Sequence, residues 1–266
     1  MANHGDAALR RYDLFGWDYE AINPLSEAEV RWHVQWAGSA GGPILALACG
    51  GGRLLSRLAL AGYDVTGVDL SETMLGLARA NVRSLTEEAR KRVHLVKADM
   101  ARFRFKRQFG LAIIADNSFR ELKTRRQLRQ CLRSIRRHLR PEGKLLITER
   151  RFRPELYPNG VRSFGWSELK PHPNSRDLVR RRGFIRLHRN GKRVSGVFIY
   201  EVIHPDETTT TVRCPILAPV LDLREYLALF SETGYRTEAF HDYEMKPATG
   251  DGTMLCFVCS PAKHAN

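Results

Sequence analysis

The sequence predicts an α/β protein: a mostly parallel sheet of seven strands with helices on both faces, and a small antiparallel sheet inserted after about residue 150. Three observations carry this. Short apolar runs alternate with helix-period segments through the first 150 residues, as in a parallel sheet covered on both faces. Beyond Arg150 the pattern becomes strand-like, and Asn190-Gly191 separates two alternating segments, a strong hairpin signal. One amphipathic helix and two further strand-like runs then close the chain.

The elements follow in order. Pro43-Ile44-Leu45-Ala46-Leu47-Ala48 is a short apolar run ending in Cys49-Gly50-Gly51-Gly52, the first strand and its turn. Leu54, Leu55, Leu58 and Ala59 recur at helical spacing, and Gly62 stops that helix. Asp64–Asp69 reads as the second strand, and Ser71 is placed to cap a helix carrying Met74, Leu75, Leu77 and Ala78. Strands three, four and five are expected at Val93–Val96, Leu111–Ala115 and Lys144–Thr148, with a long helix from about Glu121 to Leu139 before the last. Phe152–Asn174, rich in Pro, Gly and aromatic residues, is expected as a loop. Phe184–Arg189, Val194–Ile203 and Thr208–Ile216 then supply the antiparallel sheet. Leu223–Phe230 is a helix ended near Gly234, and Arg236–Tyr243 and Thr253–Val258 are the last strands.

The 266 residues are 43% hydrophobic, which suits a packed core and excludes a disordered basic tail. No apolar stretch approaches the roughly 20 residues of a membrane helix, and Met1–Trp17 has no apolar core of a secretory signal, so a cytoplasmic protein without membrane contact is expected. The net charge of +14 is concentrated. Arg120–Arg153 holds 13 Arg and Lys against three Glu, and Arg176–Arg193 holds 8 against Asp177 alone. On the predicted 121–139 helix, Arg126, Arg129, Arg133, Arg136 and Arg140 share one face, which reads as a solvated face or as a phosphate track. The five cysteines do not suggest a disulfide framework. Cys256 and Cys259 have the spacing of a metal or redox pair, but residues three apart on a strand point to opposite faces, so no metal site is expected.

Ligands of open α/β sheets bind at the carboxyl ends of the strands. Gly50-Gly51-Gly52 lets the backbone approach a ligand there and opens a helix N-terminus. Leu55 stands where a dinucleotide fingerprint wants its third glycine, and no Gly-Lys-Ser/Thr follows for a nucleotide-triphosphate loop. Asp69 ends strand two, where a carboxylate accepts hydrogen bonds from ribose hydroxyls or, alternatively, caps the next helix. Asp99 ends strand three, where an acid meets an adenine amino group or simply shapes a turn. The implied ligand is an adenosine compound without a pyrophosphate.

These segments together resemble the class I S-adenosylmethionine-dependent methyltransferases of the small-molecule type with a β insertion after strand five. Ile44–Arg53 is similar to the family's glycine-rich first motif, Val68-Asp69-Leu70-Ser71 with Met74-Leu75 to the second, and Ala98-Asp99-Met100 to the third. Asp116-Asn117-Ser118-Phe119 and Arg137–Gly143 extend the likeness, which runs from about Tyr12 to Glu149. It departs from the family at Ala46, where an acid is usual, and at Ala48, where the first glycine is usual.

The resemblance implies a Rossmann-like seven-stranded mostly parallel sheet with an inserted small antiparallel β-sheet. It divides the chain into N-terminal lid helices (1–40), a cofactor-binding core (41–150), an inserted β substrate-recognition subdomain (151–220) and a C-terminal helix with the last two core strands (221–266). It implies S-adenosyl-L-methionine as cofactor and S-adenosyl-L-homocysteine as product. Ala48, Gly50 and Gly51 would face the methionine part, Asp69 the ribose, Leu70 and Met74 the adenine, Asp99 and Met100 the adenine edge, and Asn117 the methyl end. Tyr12 and Tyr19 would belong to the lid and contact the cofactor. Asp116 and Glu149 are the candidate bases, with pairing to Arg150 or Arg151 as the structural alternative for Glu149. The expected reaction is methyl transfer to an oxygen or nitrogen of a small-molecule acceptor by a monomer or homodimer. The alternatives are a nucleic-acid methyltransferase using the arginine surface and a non-catalytic cofactor-binding protein.

Overall fold

The computed structural model describes residues 12, 16, 24–172, 175–248 and 252–262 of the chain. Tyr19 lies outside the described residues. Helix α1 (Glu27–Ala40) starts at Ser26, whose hydroxyl accepts from the Glu29 N–H at 3.1 Å, a side-chain N-cap. Strand β1 (Ile44–Leu47) is buried at all four positions, as a central parallel strand must be. Helix α2 (Arg53–Leu60), strand β2 (Val65–Asp69), helix α3 (Glu72–Arg83), the short helix α4 (Glu87–Lys91) and strand β3 (Val93–Lys97) follow, then strand β4 (Phe109–Ile114). Ser71 caps α3 as expected, its hydroxyl accepting from the Met74 N–H at 3.2 Å.

Two elements differ from the sequence expectation for local reasons. The helix expected from Glu121 begins at Arg125 as α5 (Arg125–His138), because Thr124 and Gln127 form a capping box that fixes its start. The preceding Ser118–Glu121 is a separate 3₁₀ turn. Strand β5 runs Leu139–Arg150, longer than Lys144–Thr148, since Leu139 already pairs with Phe109 ahead of a register shift.

The large sheet has the order β11-β12-β5-β4-β1-β2-β3, where β12 (Met254–Pro261) runs antiparallel to both its neighbours, β11 (Tyr235–His241) and β5, and every other pair is parallel. Helix α6 (Leu223–Glu232) precedes β11 and has its own capping box between Asp222 and Glu225. Two apolar layers cover the sheet, one including Leu128, Leu132 and Phe230, the other Trp32, Leu55 and Leu58. Cys259 belongs to the first and Cys256 to the second, so the two thiols face opposite sides. Burial pushes both thiols up to about 12.

Between β5 and α6 lies the second sheet, β10-β9-β8-β6, with β7 also paired to β8. Its strands are β6 (Val161–Phe164), β7 (Lys170–Pro171), β8 (Leu178–Leu187), β9 (Arg193–Ile203) and β10 (Thr209–Pro219). The stretch expected as loop thus contributes two short strands, joined to β8 by pairs such as Ser163 with Phe184. Val179, Tyr200, Val202 and Cys214 form its own small core. The arginine run on β8 packs against aromatic rings. The Arg180 and Arg182 guanidinium carbons lie 4.5 and 4.6 Å from the Trp166 ring centre, and Arg181 lies 4.5 Å from that of Phe198. Part of the basic charge is therefore absorbed within the sheet. Among the described residues no helix is long and apolar enough to cross a membrane.

Candidate functional site

Strand order reverses between β1 and β4, so the helices after these strands leave on opposite faces and a crevice opens at their carboxyl ends. The turn after β1 takes left-handed backbone at Ala48 (φ 49°), Gly50 (φ 54°) and Gly52 (φ 77°). A side chain is tolerated at Ala48, whereas a Cβ on Gly52 would stand 3.2 Å from that of Ala78. Asp69, at the end of β2, locks this turn in place: Oδ2 accepts from the Gly50 N–H at 2.8 Å and Oδ1 from the Ser71 N–H at 2.9 Å. A carboxylate oxygen can accept more than one hydrogen bond, so these bonds do not bar a ligand hydroxyl. The ligand-binding and helix-capping readings of Asp69 are thus compatible in one side chain.

The crevice is a cavity of about 710 Å³. At one end Ala48, Gly50, Asp69, Leu70, Met74, Asp99 and Met100 line it. Leu70 is exposed toward solvent, whereas Met74 is buried. Asp99 is held by the turn it makes, accepting from the Ala101 N–H at 2.8 Å. At the other end the lining includes Tyr12, Glu121, Lys123, Arg193 and Leu217, the last two from β9 and β10. The cavity thus reaches from the parallel strand ends to the inserted sheet.

Asp116 lines it between these ends, just past β4. Asp116 and Asn117 adopt consecutive left-handed conformations (φ 52° and 64°), which non-glycine residues rarely do. The surroundings pin them. Asp116 donates its N–H to Thr148 Oγ1 at 3.2 Å, and Asn117 Oδ1 accepts from the Arg150 N–H at 2.5 Å. Arg53 Nη2 approaches Asp116 Oδ2 at 3.3 Å.

Among the described residues, three expected site residues do not line the cavity: Gly51, Asn117 and Glu149. Asn117 uses its side chain to hold β5. Glu149 is fully buried, and Arg120 Nε donates to its Oε2 at 2.5 Å, so its partner is Arg120 rather than Arg150 or Arg151. Arg120 also donates to the Arg150 carbonyl, and Tyr226 packs beside the pair. Burial pushes the Glu149 carboxyl up to about 7 against the pull of Arg120. The charge of Glu149 in turn helps hold Arg120 protonated.

Sequence reasoning missed Glu121 and Glu29. Tyr12 donates its hydroxyl to Glu121 Oε1 at 3.2 Å, and Lys123 Nζ lies 3.1 Å from Oε2, fixing this carboxylate at the cavity's far end. Its only sequence signal was an acid inside the most basic stretch. Glu29, in the first turn of α1, looks like an ordinary helix-start acid but is buried, with Oε1 lacking a hydrogen-bond partner among the described residues. Burial, then the charge of Asp116, raises its carboxyl to about 7, while Tyr243 and Arg53 oppose the rise.

Beside the cavity, Arg102, Arg126, Arg129, Gln130, Arg133 and Arg137 line a groove of about 630 Å³, and Arg102, Arg126 and Gln130 border both. Arg129 is paired with Glu232 at 2.7 Å.

Residues 44–143 match a family profile described as a methyltransferase domain. A putative methyltransferase, YqeM of Bacillus subtilis, is 40% identical over 107 residues, 40% of this chain and 41% of that protein, so the match spans under half of the relative's length. The dTDP-3-amino-3,4,6-trideoxy-alpha-D-glucopyranose N,N-dimethyltransferase of Streptomyces venezuelae is 29% identical over 236 residues, 85% of this chain and 89% of that one. An S-adenosylmethionine-dependent methyltransferase from Clostridium acetobutylicum has the same fold, with a TM-score of 0.77 and 15% identity, covering 95% of this chain and 99% of that one. Residues 44–143 thus carry a methyltransferase domain, and the chain has the fold of the S-adenosylmethionine-dependent methyltransferases.

Proposed function

We propose that the protein transfers a methyl group from S-adenosyl-L-methionine to an amine nitrogen or hydroxyl oxygen of a small molecule, with an amino sugar the leading acceptor class. The observation that carries this is the single cavity joining Asp69 and Asp99 at the strand ends to Glu121, Arg193 and Leu217 beneath the inserted sheet. The similarity to an amino-sugar N,N-dimethyltransferase over most of both chains supports the acceptor class.

The residues fit the cofactor. Asp69 lines the cavity with its carboxylate, Met74 and Met100 offer apolar surface, and the Ala48–Gly52 turn brings backbone close without bulky side chains. Asp69 would hold the ribose hydroxyls, and Asp99 with Met100 would frame the adenine. When bound, S-adenosylmethionine supplies the methyl group on a sulfonium, which an acceptor lone pair displaces in line as the carbon–sulfur bond breaks. The protein's share is positioning, which brings the reacting atoms to about 3 Å, and removal of the acceptor's proton. Glu121, oriented by Tyr12 and Lys123, is the base we assign, and Asp116 is a second carboxylate lining the same cavity. Glu149 acts as a buried brace for Arg120. The inserted sheet supplies the acceptor-facing wall through Arg193 and Leu217.

Turnover of methyl-labelled cofactor with a panel of nucleotide-linked amino sugars, small hydroxylated compounds and RNA tests this reading. Labelled small-molecule product supports it, and label in RNA alone overturns it. The arginine groove bordering the cavity favours RNA as the second reading. Its signature is an affinity that falls steeply with salt.

A further inference from the structure

Resting on the cofactor reading above, we infer that the arginine groove beside the cavity binds the phosphate or pyrophosphate group of a small-molecule acceptor whose other end lies in the cavity. The groove has two walls. One is the outward face of α5, with Arg126, Arg129, Gln130, Arg133 and Arg137, and the other is Arg102, from the segment between β3 and β4. A merely solvated helix face has no second wall. Here a guanidinium from a separate segment joins those of α5 around one hollow of about 630 Å³.

The two walls are tied together. Leu128, Leu132 and Ile135 bury the opposite face of α5 in the core, which fixes the direction of its arginines. Ser134 Oγ donates to the Ala101 carbonyl at 3.1 Å, and the Phe105 N–H donates to His138 Nε2 at 2.9 Å. These bonds fasten the chain to α5 on either side of Arg102. The groove is therefore built before a ligand arrives, which lowers the cost of binding.

Most of its charge is unmatched. Arg129 is taken by Glu232, whose oxygens accept at 3.0 and 2.7 Å, and Arg137 donates to Ser134 Oγ at 3.2 Å. Glu232 also lies within the field of Arg133. Among the described residues, Arg102, Arg126 and Arg133 have neither an ion-pair partner nor a ring beneath them, whereas the arginines of β8 lie on Trp166 and Phe198. Guanidinium groups pair bidentately with phosphate oxygens. Arg126 and Arg133 stand about 10 Å apart along the helix axis, a span for one or two phosphates. Past Arg137 the neighbouring groove sets Glu142 and Glu232 among Arg136 and Arg140, so the unmatched charge is densest beside the cavity. That distribution suits a small anion better than a polymer backbone.

Arg102, Arg126 and Gln130 border both the groove and the cavity, so one ligand can occupy both. S-adenosylmethionine carries no phosphate. A phosphate seated in the groove on a molecule that reaches the cavity therefore belongs to the methyl acceptor.

Titration calorimetry with inorganic pyrophosphate tests this, run on the full chain with and without saturating S-adenosylhomocysteine and beside a short single-stranded RNA. Pyrophosphate should bind the wild-type chain, more weakly as salt rises. Arg133→Ala, a change that favours the helix, should weaken that binding by about tenfold or more, as should Arg126→Ala. Arg133 does not line the cavity, so Arg133→Ala should keep its S-adenosylhomocysteine affinity within about twofold. Pyrophosphate should bind equally with S-adenosylhomocysteine present. Mutual exclusion of the two overturns the proposal, since a phosphate that competes with the cofactor is not the acceptor's. Pyrophosphate binding that both substitutions leave unchanged overturns it as well. So does the absence of pyrophosphate binding, and RNA bound in its place and lost in Arg133→Ala reassigns the groove to nucleic acid. A wild-type chain that binds pyrophosphate and not S-adenosylhomocysteine overturns the cofactor reading instead, a result distinct from the others.

Discussion

Gly50 donates its backbone N–H to Asp69 Oδ2 at 2.8 Å, so the turn after β1 and the end of β2 are joined by one charge-assisted hydrogen bond. The same carboxylate also receives the Ser71 N–H. Asp69→Ala should therefore do two things at once. S-adenosylhomocysteine affinity should fall by about tenfold or more, and the unliganded protein should lose about 2–4 kcal/mol from two orphaned backbone donors. Asp69→Asn, which keeps one acceptor oxygen, should fall between. Calorimetry and thermal melting without ligand separate the two effects.

Glu121 should matter to turnover and not to cofactor binding. Glu121→Gln is expected to lower kcat by about a hundredfold with the S-adenosylhomocysteine Kd unchanged. Tyr12→Phe, which removes one of the groups orienting that carboxylate, should cost less. A fall in cofactor affinity matching the fall in kcat would instead place Glu121 at the cofactor.

His33 sets an acid limit on stability. Burial lowers it to about 4, against an ordinary value of 6.5, and its Nδ1 donates to the Glu29 carbonyl at 2.8 Å. Between these values the unfolded chain takes up a proton that the folded one refuses. Its stabilising share is complete above about 6.5 and is lost as pH falls toward about 4, on the order of 3 kcal/mol across the window. Denaturant titrations at pH 7.5 and pH 4.5 should show a smaller difference for His33→Gln than for wild type.

Cys49 is half-buried and lines the cavity, while Cys131, Cys214, Cys256 and Cys259 are buried. Iodoacetamide on the native protein should label Cys49 first, and saturating S-adenosylhomocysteine should slow that labelling. Mass spectrometry of the digested protein reads out both. Equal labelling with and without ligand would separate the cofactor from this wall.

The parallel strands and the turn after β1 were legible because each is set by short-range rules: apolar runs and glycine punctuation. The start of α5 was readable in principle from Thr124 and Gln127, whose capping box places it four residues after the expected Glu121. Strands β6 and β7 were hidden because their pairing with β8 is long-range and their composition is that of a loop. Glu149 looked suited to catalysis by its position at a strand end. Which face a strand-end residue takes depends on its tertiary partner, and Arg120 lies 29 residues away. Glu29 and Glu121 were invisible for the same reason, since the burial of the one and the bracing of the other come from segments far along the chain.

Asp116 and Asn117 mark a turn where local backbone strain is held in place by its surroundings. Two successive left-handed non-glycine residues cost about 1–3 kcal/mol each, and glycines at both positions would relieve that strain. They would also remove the Asp116 carboxylate facing the cavity and the Asn117 oxygen that holds Arg150. The turn after β4 is thus a place where heat resistance and activity pull in opposite directions, and a thermostable version of this protein should be sought everywhere else first.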